Sequence, residues 1–176
     1  STIFEGNPML PTIKRPTGHI EIVTDLDTLN QSRELSKKLE QLEAEPTNGL
    51  TEKELSTRAA TAKKLRKQLE QIVRDVREHT LILDVQGLNA SLWEQLVAAN
   101  TTTENGESSQ DVLGLIRDAV ATMTTGAHMQ PTPDEPLKFD KAELFNLLAD
   151  MPDSQLFAMM PIVQQLNTPA ISLPKA

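Results

Sequence analysis

Leu55, Ala62, Leu69 and Val76 recur at intervals of seven, and Leu65, Ile72 and His79 occupy a second position of the same repeat. Nothing else in the chain restricts the fold so tightly. A stripe sustained over about three heptads requires a helix, and a stripe that narrow requires a partner helix to cover it. Arg58 is out of pattern, while Lys63, Lys64, Lys67, Glu70 and Arg74 flank the seam in the manner of a coiled coil. Thr51, followed three residues later by Glu54, forms a capping box that opens this helix. The partner is found upstream. From about Thr28 to Glu45, Leu35, Leu39 and Leu42 follow a 4-then-3 spacing, with Ser32 leaving a gap in the stripe. Asp25 or Asp27 serves as N-cap and the EPTNG segment stops the helix. Two helices joined by about five residues fold back most simply as an antiparallel hairpin. Pairing between two chains would use the same seam, so both arrangements stand at this point.

At His79 the period changes from helical to alternating. Leu81, Leu83 and Val85 alternate with Ile82, Asp84 and Gln86, which describes a short strand. A lone strand is unstable, and HIEIV (19 to 23), with Ile20 and Ile22, is the other convincing strand. The two are predicted to pair at the base of the hairpin and lock its ends together. After a turn at Gly87 a helix runs from about Asn89 to Asn100, with Leu92, Trp93, Leu96 and Val97 on one face. Leu81, Leu83, Val85, Trp93 and Leu96 are the expected base packing.

The rest of the chain reads as shorter pieces. TTTENGESS (101 to 109) is a polar loop, and Val112, Ile116, Ala119, Val120 and Met123 mark another helix. The Pro- and Gly-containing stretch near 124 to 138 reads as a mobile linker. Asp140 caps a helix bearing Leu144, Phe145, Leu147 and Leu148; Pro152 opens a last helix, which Pro161 should kink or stop. The expected fold is mainly α: an antiparallel helical hairpin or coiled-coil arm, a short two-stranded β element, and a small C-terminal helical bundle. Residues 1–18 form an extended Pro-rich arm, 19–88 the hairpin with its strands, 89–168 the helical domain and 169–176 a tail.

Composition narrows the function more than it names it. Among 176 residues only 3 % are aromatic, which suits a chain with a large exposed arm. The net charge of -8 argues against nucleic acid or an anionic membrane as partner. It is unevenly spread: residues 80 to 176 hold 12 acidic and 4 basic side chains, whereas 31 to 79 hold 9 and 11. With no cysteine, disulfides, thiolate nucleophiles and Cys-type zinc sites are excluded. Three scattered histidines suggest no metal cluster, Asp25 and Asp27 are explained by capping, and no phosphate loop or nucleophile motif occurs. No catalytic residue, cofactor or metal is expected. The segment STIFEGNPMLP has no basic region followed by an apolar one, so no secretory signal is expected and the chain reads as soluble and intracellular. KKLRK (63 to 67) reads as a solvated helix face. The Met- and Phe-rich end, with Phe145, Leu148, Met151, Phe157, Met159 and Met160, is in part core and is also the best candidate for a partner-binding groove.

The order of parts is similar to that of a known group. A charged hairpin, then HTLILDVQGLNASLWEQLVAAN, then DVLGLIRDAVATM, then AELFNLLADMPDSQLFAMMPIVQQLN resembles the tail assembly chaperones of long-tailed actinobacterial phages. Gly87, Leu88, Trp93, Leu96 and Val97 carry the first block of the resemblance. Leu147, Leu148, Gln155, Phe157 and Asn167 carry the second, over roughly residues 28 to 170. The basic residues usual between the turn and the aromatic are replaced by Asn89, Ala90 and Ser91. The resemblance implies a non-catalytic protein of the host cytoplasm that coats the tape-measure protein until tail-tube subunits polymerise around it.

Two other classes stand beside it. One is a structural virion component (neck, tail or capsid-decorating) whose Pro-rich ends order on assembly. The other is a bacterial coiled-coil adaptor. In each case the expected partner is a protein, with a homo-oligomer left open.

Overall fold

The computed structural model describes residues 9–175. The described chain divides into two compact units, one comprising residues 9–18, 84–125 and 139–175 and the other 19–83 and 126–138.

In the second unit the heptad stripes do become a helical hairpin. Helix α1 (Leu26–Ala44) starts at Asp25, whose carboxylate accepts from the Thr28 amide at 3.0 Å and the Thr28 hydroxyl at 2.7 Å. These two bonds favour the ionised form and hold the Asp25 carboxyl below the ordinary Asp range. Helix α2 (Glu52–Glu78) starts at Thr51, whose hydroxyl oxygen accepts from the Glu54 amide at 3.1 Å. At 27 residues α2 is about 40 Å long. The two helices pack against each other. Arg58 donates to the Glu45 carbonyl at 2.7 Å, Arg66 pairs with Glu43, and the Thr24 amide donates to the His79 carbonyl at 2.9 Å. The Thr24–His79 and Glu45–Arg58 pairs sum to the same residue number, so the helices run antiparallel on one register. Ala62 and Val76 are buried in the seam; Leu35, Leu39, Leu42, Leu65, Leu69 and Ile72 are half-buried, and Leu55 is exposed. Ser32, the gap in the stripe, is itself buried and satisfies its hydroxyl on the Leu29 carbonyl.

Strands β1 (Thr17–Val23), β2 (Thr80–Gln86) and β5 (Thr124–Met129) form one antiparallel sheet in the order β1–β2–β5. The predicted pairing of HIEIV with LILDV is present, but the element has three strands. β2 is central, and accordingly Leu81, Ile82, Leu83 and Val85 are all buried rather than only the alternating set. The stretch expected as a mobile linker supplies β5. It has no apolar alternation to betray it, only Ala127 buried; it is a strand because β2 offers an edge, as in the Gln130 amide's bond to the Thr80 carbonyl.

The first unit is built around α4 (Val112–Met123), against which α3 (Ala90–Ala99), α5 (Lys141–Ala149), α6 (Asp153–Phe157) and α7 (Met160–Asn167) pack. Leu115, Ile116, Ala119, Val120 and Met123 are buried along α4, joined by Leu144, Leu148, Leu156, Val163 and Leu166. Between α3 and α4 the predicted polar loop is an antiparallel ribbon, β3 (Thr101–Glu104) with β4 (Glu107–Gln110). Asn105 and Gly106, at φ 51° and 79°, make the tight turn that an Asn-Gly pair favours. Pro161 neither kinks nor stops a helix: it sits in the first turn of α7, where a missing amide costs nothing, and the break falls before Met160.

With about 54 % helix and two separate sheets the fold is mixed α/β rather than mainly α. Among the described residues no helix is long and apolar enough to cross a membrane. Of the expected N-terminal arm, residues 1–8 lie outside the described residues; 9–16 have no regular structure.

Candidate partner-binding surfaces

The Met- and Phe-rich end takes its shape from two prolines and a cap. Asp140 accepts from the Glu143 amide at 2.8 Å and starts α5; Pro152, at φ -66°, precedes α6; Pro161 opens α7. Three short helices in succession turn alternate side chains inward and outward. Leu148 and Leu156 are fully buried and Met159 is 4 % exposed, so Leu148 and Met159 belong to the core and line no accessible surface. Phe145 and Phe157 face out, 37 % and 50 % exposed, and Met151 and Met160 are half-buried. The six residues expected as one groove are thus split between core and surface.

Helix α3 adds a second partly apolar face in the same unit. Asn89 caps it by accepting from the Leu92 amide at 2.9 Å. None of its residues is buried: Leu92 is exposed, and Trp93, Leu96 and Val97 are half-buried. The base residues therefore divide too, with Leu81, Leu83 and Val85 buried and Trp93 and Leu96 only partly covered.

What sequence spacing could not reveal is that the turn after β2 and the end of α7 meet. The Leu88 amide donates to Asn167 Oδ1 at 2.7 Å, and Asn167 Nδ2 donates to the Val163 carbonyl at 2.9 Å and contacts Met123 Sδ at 3.3 Å. The Gly87 amide donates to the Pro16 carbonyl at 2.8 Å. A side chain at position 87 has no room, because a Cβ there would lie 2.1 Å from the Leu166 carbonyl oxygen. Gly87, Leu88 and Asn167, seventy-nine residues apart at the Leu88–Asn167 bond, form one clamp. A glycine at a strand end and an asparagine at a helix end were each legible as punctuation; their bond was not.

No protein-family model, curated protein or solved structure matches this chain.

Proposed function

We propose that this protein is a non-catalytic tail assembly chaperone that binds the tape-measure protein and keeps it soluble during tail morphogenesis. The observation that carries the proposal is the outward exposure of Phe145 and Phe157 beside a packed core of Leu148, Leu156 and Met159. Aromatic side chains presented on short helices offer a large contact area, which is what capture of an amphipathic helix needs. In this role the α1–α2 hairpin serves as a coiled-coil arm that offers a contact surface of its own. An acidic body keeps the complex soluble, and the masking acts by mass action on the unassembled partner.

The proposal expects a tape-measure protein to be encoded at the same locus, and the test is co-expression with that protein, followed by its soluble fraction. Wild type should raise that fraction several-fold and Phe145→Asp with Phe157→Asp should abolish the gain while the chain stays folded. A locus without such a gene, or a partner that stays insoluble, refutes the proposal.

A structural virion component is the second reading, favoured by one observation. Met9, Leu10 and Ile13, and Ile171 and Leu173, are 87 to 94 % exposed in segments without regular structure. Side chains so bare gain most from burial against neighbouring subunits. Stoichiometric presence of this chain in purified virions would decide for it.

A further inference from the structure

Two exposed turns hold an asparagine followed by a glycine. Asn48 and Gly49 lie in the loop between α1 and α2, and Asn105 and Gly106 at the tip of the β3–β4 ribbon. In such a pair the glycine amide nitrogen can attack the asparagine side-chain carbonyl carbon, because no Cβ on the second residue blocks the approach. The N–Cγ bond forms, the Cγ–Nδ2 bond breaks, and ammonia leaves with the proton of the glycine amide. The product is a five-membered succinimide. Water then opens the ring at either carbonyl and leaves an aspartate or an isoaspartate. Water is the sole co-reactant, and nothing is oxidised or reduced.

The reaction needs a free side-chain amide, a free following amide and room to close the ring. Among the described residues neither Asn48 nor Asn105 makes a side-chain hydrogen bond, and neither the Gly49 nor the Gly106 amide is bonded. No atom lies within 4 Å of the place a Cβ would take at either glycine. The other asparagines each fail a requirement. Asn89, Asn100 and Asn167 have their side chains engaged by backbone or carboxylate partners. Asn30 and Asn146 lie inside α1 and α5, where the next amide belongs to the helix ladder.

The two sites differ in what holds them. Ring closure requires rotation about the asparagine Cα–C bond until the glycine nitrogen meets the side chain. At Asn48 the turn is held by one long bond, from the Leu50 amide to the Thr47 carbonyl at 3.4 Å. Asn105 is fixed at φ 51° between Glu104 and Glu107, which pair directly across the ribbon. Rotation there has to open the end of the ribbon first, and the loss of one or two ladder bonds slows the reaction about tenfold.

We propose that Asn48 and Asn105 are sites of spontaneous, one-way deamidation and that the structure orders them in time, Asn48 first. Each event adds one negative charge. At position 105 the new carboxylate comes between Glu104 and Glu107, and an isoaspartate adds a backbone atom to a two-residue turn, so the ribbon loses its register. At position 48 the change falls in a loop flanked by the bond from Arg58 to the Glu45 carbonyl, and the hairpin stays paired. Neither event involves a partner, so failure here would leave the chaperone proposal standing.

The experiment is incubation of the purified full chain at neutral pH in warm buffer, with and without unfolding urea, followed by peptide mapping with mass spectrometry. In buffer Asn48 should convert about tenfold faster than Asn105, with Asn89, Asn100 and Asn167 unchanged; in urea the two Asn–Gly sites should converge to within about twofold. Asn48→Gln, whose longer side chain cannot close a five-membered ring, should abolish conversion at 48 and leave that at 105 as it was. Amide exchange at Thr103 and Ser108 should quicken in the fraction converted at 105. No conversion at Asn48, equal rates at the two sites in buffer, or a ratio that urea leaves unchanged overturns the proposal.

Discussion

Replacing Gly87 by alanine tests the clamp that ties the end of β2 to the end of α7. The new Cβ would stand 2.1 Å from the Leu166 carbonyl oxygen and 3.0 Å from the Leu166 carbonyl carbon. Both are backbone atoms, so no side-chain rotation relieves the contact; one segment must retreat by more than 1 Å to reach ordinary van der Waals distance of roughly 3.3 Å. Two hydrogen bonds lie in the path of that retreat, Gly87 to Pro16 at 2.8 Å and Leu88 to Asn167 at 2.7 Å. Overpacking costs about 1–3 kcal/mol, and each lost bond about 1 kcal/mol net. The sum is about 3–5 kcal/mol. With a urea m-value of about 2 kcal/mol/M, that moves the unfolding midpoint down by about 1.5–2.5 M.

Trp93 is the lone tryptophan and belongs to the same unit as the clamp, so its fluorescence reports on the right part of the molecule. Asn167→Ala is the companion variant. It removes the Leu88 partner without adding bulk and should cost only about 1–3 kcal/mol. A Gly87→Ala protein within about 0.5 kcal/mol of wild type would refute the reasoning, since backbone crowding at 2.1 Å cannot be neutral. So would a larger loss in Asn167→Ala than in Gly87→Ala.

Three further outcomes are expected. Leu148→Ala, at a fully buried position, should cost about 2–5 kcal/mol in urea unfolding, whereas Phe145→Ala, at a surface position, should cost under about 1 kcal/mol; equal losses would mean that Phe145 is core. Because the Asp25 carboxyl is held below the ordinary Asp range by the Thr28 amide and hydroxyl, its contribution is present above the unfolded value and lost as pH falls through the depressed folded value. Asp25→Asn should therefore melt with a shallower loss of stability than wild type on acidification through that window, and parallel curves for the two proteins would contradict the cap. Gly106→Ala, at φ 79°, should fray the β3–β4 ribbon at a cost of about 1 kcal/mol, seen as faster amide exchange at Thr103 and Ser108 with α4 unaffected. Slowed or unchanged exchange there would argue against the turn.

Much of the architecture follows from residue order alone. Asp25, Thr51, Asn89 and Asp140 are short polar side chains ahead of periodic segments, and each caps a helix. Thr51 and Asp140 do so as expected, Asp25 is one of two candidates with Asp27, and Asn89 starts a helix whose cap the sequence leaves unassigned. The heptads from Leu55 to Val76 demanded a partner helix, and Leu35, Leu39 and Leu42 lay within reach of a short loop. HIEIV and LILDV pair because the hairpin brings its own ends together. All of these are local patterns, or patterns joined by a two-helix excursion that the pattern itself dictates.

Tertiary structure decided the remainder. TTGAHM has no strand periodicity and becomes β5 only because central β2 has a second edge to satisfy, which is a non-local hydrogen-bonding demand invisible within the segment. Pro161 reads as a helix breaker in isolation, yet a helix start and a helix stop both exclude the proline amide, and only the packing of Leu156, Met159 and Val163 fixes on which side the helix lies. The same holds for the candidate surface. Phe145 and Leu148 are both apolar residues of α5, and sequence gives them the same chemistry. Their roles part because α5 packs on α4 along the stripe of Leu144 and Leu148, one turn apart, and Phe145, about 100° round from Leu144, stands at the edge of that stripe where packing covers it only in part.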